Sequence, residues 1–550
     1  MRSTLTESST GNPRLALATS GVFLAIIFSL PVMQLVSEIY SQPREWPAVL
    51  RLLPAIPRVL AAGGNHKDSA YQRIMAANQQ LCDEFRTYES HVTESAWPIR
   101  RPRAWVQAAL TGPLRSGNEQ VVVGSDGWLF FRPDVEALTS PGFLEPHRIR
   151  PGIATTSRTT DPLPAIRQFA ADLEARGIKL IVVPVPSKGA LLGANHRVAE
   201  DYLPIHNASF RQFVSELGQS QIELCDPTVV LMDRPGIAHQ YQSRYLKTDS
   251  HWTPEGAELA AGLIAPKVHP KVQSVRDQRT VYETRKVSLE NVGDTARLLG
   301  GDAATQIIAP ESCEITQVRN LDHSEWSPDP RAEILLLGDS FTNIYSQPEL
   351  GWGTSAGFAE HLSLALRQPI DRIALNAGGA LAARRELLRQ LQQPGPDRLA
   401  GKKVVIWQFA ERELTFGDWQ VLPLPARSKS SPVQQPQTAE VIAEGLIVQA
   451  GHLPNPASLP YREALIPLHL QSVRSVGIEK IPAEIVVYVW GLQDRRLTPM
   501  AAWKAGQQVR LKLTPWSAAE RQYGRFARAE LEDPDFRLID LPTYWGMVEK

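Results

Sequence analysis

Cysteine is nearly absent from this chain: its 550 residues contain three, Cys82, Cys225 and Cys313. An odd number so widely spaced leaves room for one disulfide, and it excludes both a disulfide framework and a zinc pattern. Net charge is absent as well. The 58 Lys and Arg balance 58 Asp and Glu, charged residues make up 21%, and no basic run or interleaved aromatic–basic patch disturbs the balance. Nucleic acid is therefore not an expected partner.

Charge is missing altogether from residues 15–37, which include Val22-Phe23-Leu24-Ala25-Ile26-Ile27-Phe28. As a helix this run is long enough to cross a hydrocarbon core of about 30 Å, whereas a buried soluble helix is the alternative. No small-X-small cleavage site follows directly, so an uncleaved signal anchor is expected. Arg2 and Arg14 precede the run, and Glu38, Arg44 and Glu45 follow it. The positive-inside rule then puts residues 1–14 in the cytoplasm and everything after about residue 40 outside it. The expectation is a single-pass inner-membrane protein whose bulk lies in the periplasm.

What remains is too long for one ordinary core, so two or more domains are expected. Ile166, Phe169, Ala170 and Leu173 fall at helical spacing, Gly177 follows as a C-cap, and residues 178–185 read as a strand. The pattern recurs in Phe210, Phe213, Val214 and Leu217, with Gly218 ending the helix and residues 222–225 forming the next strand. Further strands are predicted at 334–337, 373–375 and 404–409. Alternating helices and strands imply an α/β domain over 65–422, a parallel sheet covered on both faces. Within it, residues 282–330 show few regular patterns and read as a lid or substrate edge.

Residues 423–437, rich in Pro, Ser and Gln, read as a linker. From there to residue 550 the period changes to two: Leu468 and Leu470, then Ile485, Val487 and Val489, then Val509, Leu511 and Leu513 alternate with polar or outward positions. Five or six short strands predict a small all-β domain over 438–550, a barrel or a sandwich. Its Trp490, Trp503, Trp516, Tyr544 and Trp545 suit either core packing or stacking on sugar rings.

Two short stretches carry chemistry: Asp249-Ser250-His251-Trp252, and Gly338-Asp339-Ser340-Phe341 directly after the apolar residues 334–337. A neutral serine hydroxyl is a weak nucleophile, so attack on an ester needs an imidazole to take its proton and an acid to fix that imidazole's tautomer. The apolar run reads as a buried strand, and Gly338 permits a tight turn that presents Ser340 at its carboxyl end, where open α/β sheets bind ligands. In extended geometry Asp249 and His251 point to one face, and Thr253-Pro254-Glu255 reads as a helix start with Thr as N-cap and Pro at the first position. Taken singly, Gly-Asp-Ser is usually a turn, and Asp-X-His can supply two metal ligands. Arg412, beside Glu411 at the end of a strand-like run, suits an anionic sugar or a plain ion pair. No metal and no cofactor is expected.

In order along the chain, Gly124-Ser125-Asp126-Gly127-Trp128-Leu129-Phe130, Pro184-Val185-Pro186-Ser187-Lys188, Thr248-Asp249-Ser250-His251-Trp252-Thr253, Gly338-Asp339-Ser340-Phe341, Asn376-Ala377-Gly378-Gly379-Ala380 and residues 405–412 resemble the alginate O-acetyltransferases of the AlgJ/AlgX type, within the SGNH hydrolase superfamily. The resemblance covers roughly residues 71–419. It implies an SGNH-hydrolase-like domain outside the cytoplasm that moves acetyl groups onto, or off, exopolysaccharide hydroxyls. Ser340 would be the nucleophile, His251 the general base and Asp249 its partner, with Asn376 an oxyanion or substrate contact or simply a turn residue. It further implies a multispanning membrane O-acyltransferase as acetyl donor. The expected function is an extracytoplasmic O-acetyltransferase or acetylesterase acting through an acetyl-serine. The alternative is a non-catalytic, membrane-anchored polysaccharide-binding scaffold, which the presence of Asp249, His251 and Ser340 together disfavours.

Overall fold

A computed structural model describes residues 13–41, 110–111, 114–145, 159–191, 204–232, 243–272, 280–300, 308–392, 397–425, 440–453, 459, 461–477, 481–524, 526–529, 531, 538 and 541–548. Cys82, all of residues 65–109 and the expected linker beyond residue 425 lie outside them. The chain divides into two compact units, 1–114 and 115–550. In the first, α1 (Pro13–Ser41) is 29 residues long. It leaves Val22, Phe23, Leu24, Phe28, Val32, Met33, Val36 and Ile39 exposed. Several of its side chains are outside the description, and among the described residues no helix is long and apolar enough to cross a membrane.

The second unit opens with a small hairpin, β1 (Val121–Val123) and β2 (Leu129–Phe131), joined through the turn at Ser125–Gly127. Its centre is a five-stranded sheet of β3 (Lys179–Val185), β4 (Glu223–Leu224), β7 (Ile334–Gly338), β8 (Asp371–Ala374) and β9 (Val404–Ala410). The spatial order is β4-β3-β9-β7-β8 and every pairing is parallel. A strand covered on both faces must be apolar on both, and every residue of β7 and β9 is buried. Alternation still sorts the faces. Ile181, Val183, Leu336 and Ile406 pack under α4 (Pro254–Val268) and α7 (Phe358–Leu366). Leu180, Val182, Leu337 and Trp407 pack under α2 (Pro162–Glu174), α3 (Phe210–Gln219) and α8 (Gly379–Gln392).

Three expectations change here. Gly218 lies inside α3 rather than ending it; the left-handed residue that turns the chain is Gln221, at φ +57°. Val214 is exposed on that helix, outside the buried stripe of Phe210, Phe213 and Leu217. The stretch read as irregular is a ten-residue-per-strand antiparallel hairpin, β5 (Tyr282–Asn291) and β6 (Glu311–Asn320), with α5 (Asp294–Gly300) between. Its strands form a two-stranded sheet of their own and are mostly exposed or half-buried, so charged residues fill positions that a core strand would give to apolar ones.

Seven strands make the C-terminal domain: β10 (Val441–Ala450), β11 (Ala464–Ser475), β12 (Glu484–Gln493), β13 (Arg496–Leu497), β14 (Gln508–Pro515), β15 (Ala527–Arg528) and β16 (Thr543–Val548). The order β12-β16-β14-β10-β11 closes through a β11–β12 pairing into a five-stranded barrel. Closure removes free edges, and Leu468, Leu470, Ile485, Val487, Val489, Leu511 and Leu513 fill the interior. The aromatic residues are less available to sugars than their number suggests. Trp516 and Trp545 are 1% and 2% exposed. Trp545 stacks on Tyr523 at 3.8 Å and meets Trp490 edge-on at 5.6 Å, forming a second small core around α9 (Trp516–Tyr523). Trp503 and Tyr544 pack against the barrel interior.

A buried ion network fastens the barrel to α8. Glu386 accepts from Arg389 of its own helix at 2.5 Å and from Arg528 of β15 at 2.9 Å, while Gln390 donates to Glu520 of α9 at 2.7 Å. Removing one partner of a buried pair strands the others without solvent. Glu386→Ala is expected to lose about 3–5 kcal/mol of stability, read as a lowered urea midpoint; an unchanged midpoint would show that the network does not hold the two domains together.

Candidate active site

The position of Ser340 is set by the end of β7. Asp339 caps α6 (Ser340–Asn343), accepting from the Phe341 N–H at 2.9 Å. Gln408 donates to its Oδ1 at 2.8 Å and Ala410 N–H to its Oδ2 at 2.9 Å, both from β9. Asp339 is thus a fixed bracket, and Ser340 begins the helix at the carboxyl end of the central strand. Gly338 is required for a reason other than the expected turn. Its φ is not left-handed, but a Cβ there would come within 2.3 Å of Thr342 Oγ1, which itself donates to Gln408 Oε1 at 2.7 Å.

The imidazole arrives on a closed loop. Leu246 N donates to His251 O at 3.1 Å and Thr253 N to Arg244 O at 2.8 Å, so the loop folds back on itself. Thr253 caps α4 through the Gly256 N–H at 3.2 Å, with Pro254 at the helix start as the sequence implies. Tyr345 OH donates to Trp252 O at 2.7 Å. Asp249 and His251 do not lie in extended backbone; the Asp249 carboxylate accepts the His251 N–H two residues on, at 3.1 Å, a local turn that keeps the two side chains together.

These devices align three groups. Asp249 Oδ1 is 2.7 Å from His251 Nδ1, and His251 Nε2 is 2.8 Å from Ser340 Oγ. With the carboxylate on Nδ1, that nitrogen carries the proton and Nε2 accepts from the serine hydroxyl. Asp249 Oδ2 accepts from the Trp352 indole at 2.9 Å and from the Asp294 N–H at 3.0 Å. Trp352 can reach it because Gly351 and Gly353 on either side are left-handed, at φ +84° and +89°. Burial alone would raise the Asp249 pKa, but His251 and these donors hold it well below the usual carboxylate range. Burial works against the imidazolium of His251 too, yet the Asp249 bond and charge, with Asp294 and Asp339, raise its pKa above the ordinary histidine value.

Asp294, at the start of α5, has no counterpart among the sequence candidates. Its two oxygens accept from Ser250 N at 2.6 Å and Ser250 Oγ at 2.6 Å, and Oδ2 is 3.5 Å from His251 Nδ1. Burial and the neighbouring Asp249 charge push its pKa up to about 6. The one signal for it in the sequence is Gly293-Asp294 opening a helix.

Asp249, His251, Ser340 and Asp294 line a cavity of about 430 Å³, and the barrel supplies part of its wall through His452, Leu453, Leu459 and Tyr461. Asn376 and Arg412 also line it, but their polar groups have partners. Asn376 Nδ2 donates to Gln347 at 2.6 Å and its Oδ1 accepts from Asn343 at 2.9 Å. Arg412 is paired with the buried Asp134 at 2.9 Å and lies over the Phe131 ring, which is the plain ion pair of the two expectations. Cys225 and Cys313 are both free thiols, so no bridge joins them.

A third ligating group does stand beside Asp249 and His251: with Asp294 they form a cluster whose ligand atoms lie within 4.8 Å of one another. The distances inside it are those of hydrogen bonds that need a proton on Nδ1, and both Asp294 oxygens already accept from Ser250. A metal would have to displace these bonds. Exhaustive dialysis against a chelator is therefore expected to leave activity on an acetyl ester unchanged; a loss restored by a divalent cation would contradict this.

Residues 121–411 match the family described as SGNH hydrolase-like domain, acetyltransferase AlgX. The chain is similar to the probable alginate O-acetylase AlgJ of Pseudomonas aeruginosa, 25% identical over 333 residues, which cover 60% of this chain and 78% of that protein. The corresponding protein of Pseudomonas putida is 26% identical over 368 residues, 64% of this chain and 85% of that one. A solved structure, the O-acetyltransferase domain of Pseudomonas putida AlgJ, is 23% identical and covers 54% of this chain and 92% of its own, with a TM-score of 0.38. Since the family match takes in more than half of its residues, this chain belongs to the AlgX family of SGNH hydrolase-like acetyltransferase domains and is an O-acyltransferase.

Proposed function

We propose that this O-acyltransferase moves acetyl groups to hydroxyls of an exopolysaccharide, alginate or a polymer like it, with Ser340 carrying the acetyl group in transit. One observation supports this most: an unbroken hydrogen-bonded chain from Asp249 through His251 to Ser340, opening into a cavity at the carboxyl end of β7. His251 Nε2 takes the Ser340 proton as Oγ attacks the donor's ester carbonyl. The proton then passes to the departing donor oxygen, leaving acetyl-Ser340. In the second half an acceptor hydroxyl gives its proton to Nε2 and attacks the acetyl carbon, and the proton returns to Oγ.

The oxyanion would be met by the Ser340 N–H at the start of α6 and by Asn376, whose amide has a second N–H beside the one given to Gln347. Each such donor contributes roughly 3 kcal/mol. The apolar barrel residues on the cavity wall, Leu453 and Leu459, limit water around the acetyl-serine and so favour a sugar hydroxyl over hydrolysis. The names of the relatives, alginate O-acetylases, support the choice of polymer.

We further propose a location outside the cytoplasm, a reading that the charge-free run at residues 15–37 supports. Large apolar side chains described on α1, among them Val22, Phe23, Leu24 and Phe28, are exposed. The proposed topology is an inner-membrane anchor with the catalytic domain in the periplasm. One span offers no route for a cytoplasmic acetyl donor, so a multispanning membrane O-acyltransferase is the proposed source. Fractionation checks the anchor: full-length protein should need detergent for release, and a chain starting at about residue 45 should not.

The test of the chemistry is acetyl transfer from an activated ester, with the polysaccharide as acceptor. Ser340→Ala and His251→Ala should each lower kcat by roughly 10⁴ or more. Because His251 must be neutral to act and its pKa is raised, the wild-type rate should fall as pH drops through a midpoint above the free-imidazole value of about 6.5. Rates unchanged in both variants would leave the protein a binding scaffold.

A further inference from the structure

Asp294 stands where a second carboxylate would matter to the base, and nothing in the three-residue scheme uses it. Three contacts define its place. Its backbone N–H donates to Asp249 Oδ2 at 3.0 Å, its carboxylate grips Ser250 through both N and Oγ at 2.6 Å, and its Oδ2 is 3.5 Å from His251 Nδ1. Ser250 Oγ is itself 3.3 Å from Nδ1. The residue between acid and base is thus clamped by a side chain from α5, and the same side chain puts negative charge on the Nδ1 edge of the imidazole.

We infer that Asp294 is a positioning residue of the active site, which locks the loop carrying Asp249 and His251 and sets the protonation range of His251 through its charge. The inference rests on the reading of His251 as the general base. Two effects separate. Through Ser250 the carboxylate fixes where the imidazole points, a matter of geometry. Through space it favours the imidazolium, since an opposite charge at this distance stabilises the charged form.

Other charges face the same ring and must be counted with it. Asp249 comes from the base's own loop and Asp339 from the nucleophile turn. The buried Lys188 interacts with the charges of Asp294 and Asp249, its Nζ donating to Leu129 O at 2.5 Å and to Lys247 O at 3.3 Å, and burial holds its pKa down to about 8. Glu311 of β6 accepts from Lys247 N and Thr248 N, and Arg297 of α5, Arg412, Glu413 and the barrel's His452 line the cavity. Of the carboxylates, Asp339 is engaged by Gln408 and Ala410 and Glu311 by the Thr248 segment, and among the described residues Asp294 is the one besides Asp249 within 4 Å of Nδ1.

The test compares Asp294→Asn, which removes the charge, with Asp294→Glu, which keeps it but displaces it, in the pH dependence of acetyl-ester turnover. Asp294→Asn should move the acidic midpoint down by about one pH unit, because a less favoured imidazolium loses its proton at lower pH. Asp294→Glu should lose rate with its midpoint near wild type. A midpoint in Asp294→Asn that superimposes on wild type, whatever the rate, would reduce Asp294 to a structural clamp and overturn the inference. A second measurement needs no turnover: NMR titration of isotope-labelled His251 in the whole protein should give a lower midpoint in Asp294→Asn than in wild type, and coincident midpoints would also overturn it. If wild type turns over no ester, the acyl-transfer reading fails, while the imidazole titration still decides the role of Asp294.

Discussion

The 2.8 Å contact between His251 Nε2 and Ser340 Oγ joins residues 89 positions apart, and the rest of the second unit can be understood as what makes that contact hold. A hydrogen bond between two side chains is worth little if either must be ordered at the moment it forms. Here neither must. Ser340 is held by a cap anchored in the neighbouring strand, and His251 by a loop that closes on its own backbone and leads into a capped helix. The strands behind them are buried on both faces, so the frame itself has little freedom.

Electrostatics then makes the geometry useful. A buried aspartate ordinarily takes up a proton, which would break the chain at its first link. Trp352, the Asp294 N–H and His251 itself keep Asp249 ionised, and an ionised Asp249 in turn supports the imidazolium. The barrel adds a different constraint. Its loop residues line the cavity beside Asp249, His251 and Ser340, and the Glu386–Arg528 pair fastens that wall to the α/β domain. The C-terminal domain thus participates in the site's environment, although its tryptophans are largely spent on its own core.

How much of this could be read from residues alone depended on whether the partner was local. The central strands were legible because continuous apolar runs have no other stable use in a sheet covered on both faces. Thr253-Pro254 announced its helix, and Ser340 with Asp249 and His251 stood out by chemical type. The hairpin at 282–320 was hidden because only a few of its side chains, among them Val287, Leu289, Ile315 and Val318, touch the core. Trp352 and Asp294 were hidden for another reason: their partners lie 103 and 44 residues away, and no spacing rule connects them. Arg412 stayed open between two readings because its answer, Asp134, is 278 residues distant.

The central claim, that Ser340 accepts the acetyl group with His251 as its base, is tested most directly by peptide mass spectrometry after brief exposure to an activated acetyl ester. The account predicts an acetyl group on the peptide containing Ser340 in wild-type protein, and none on that peptide in Ser340→Ala or His251→Ala. Transfer to polysaccharide by a wild-type protein whose Ser340 is never acetylated would contradict it.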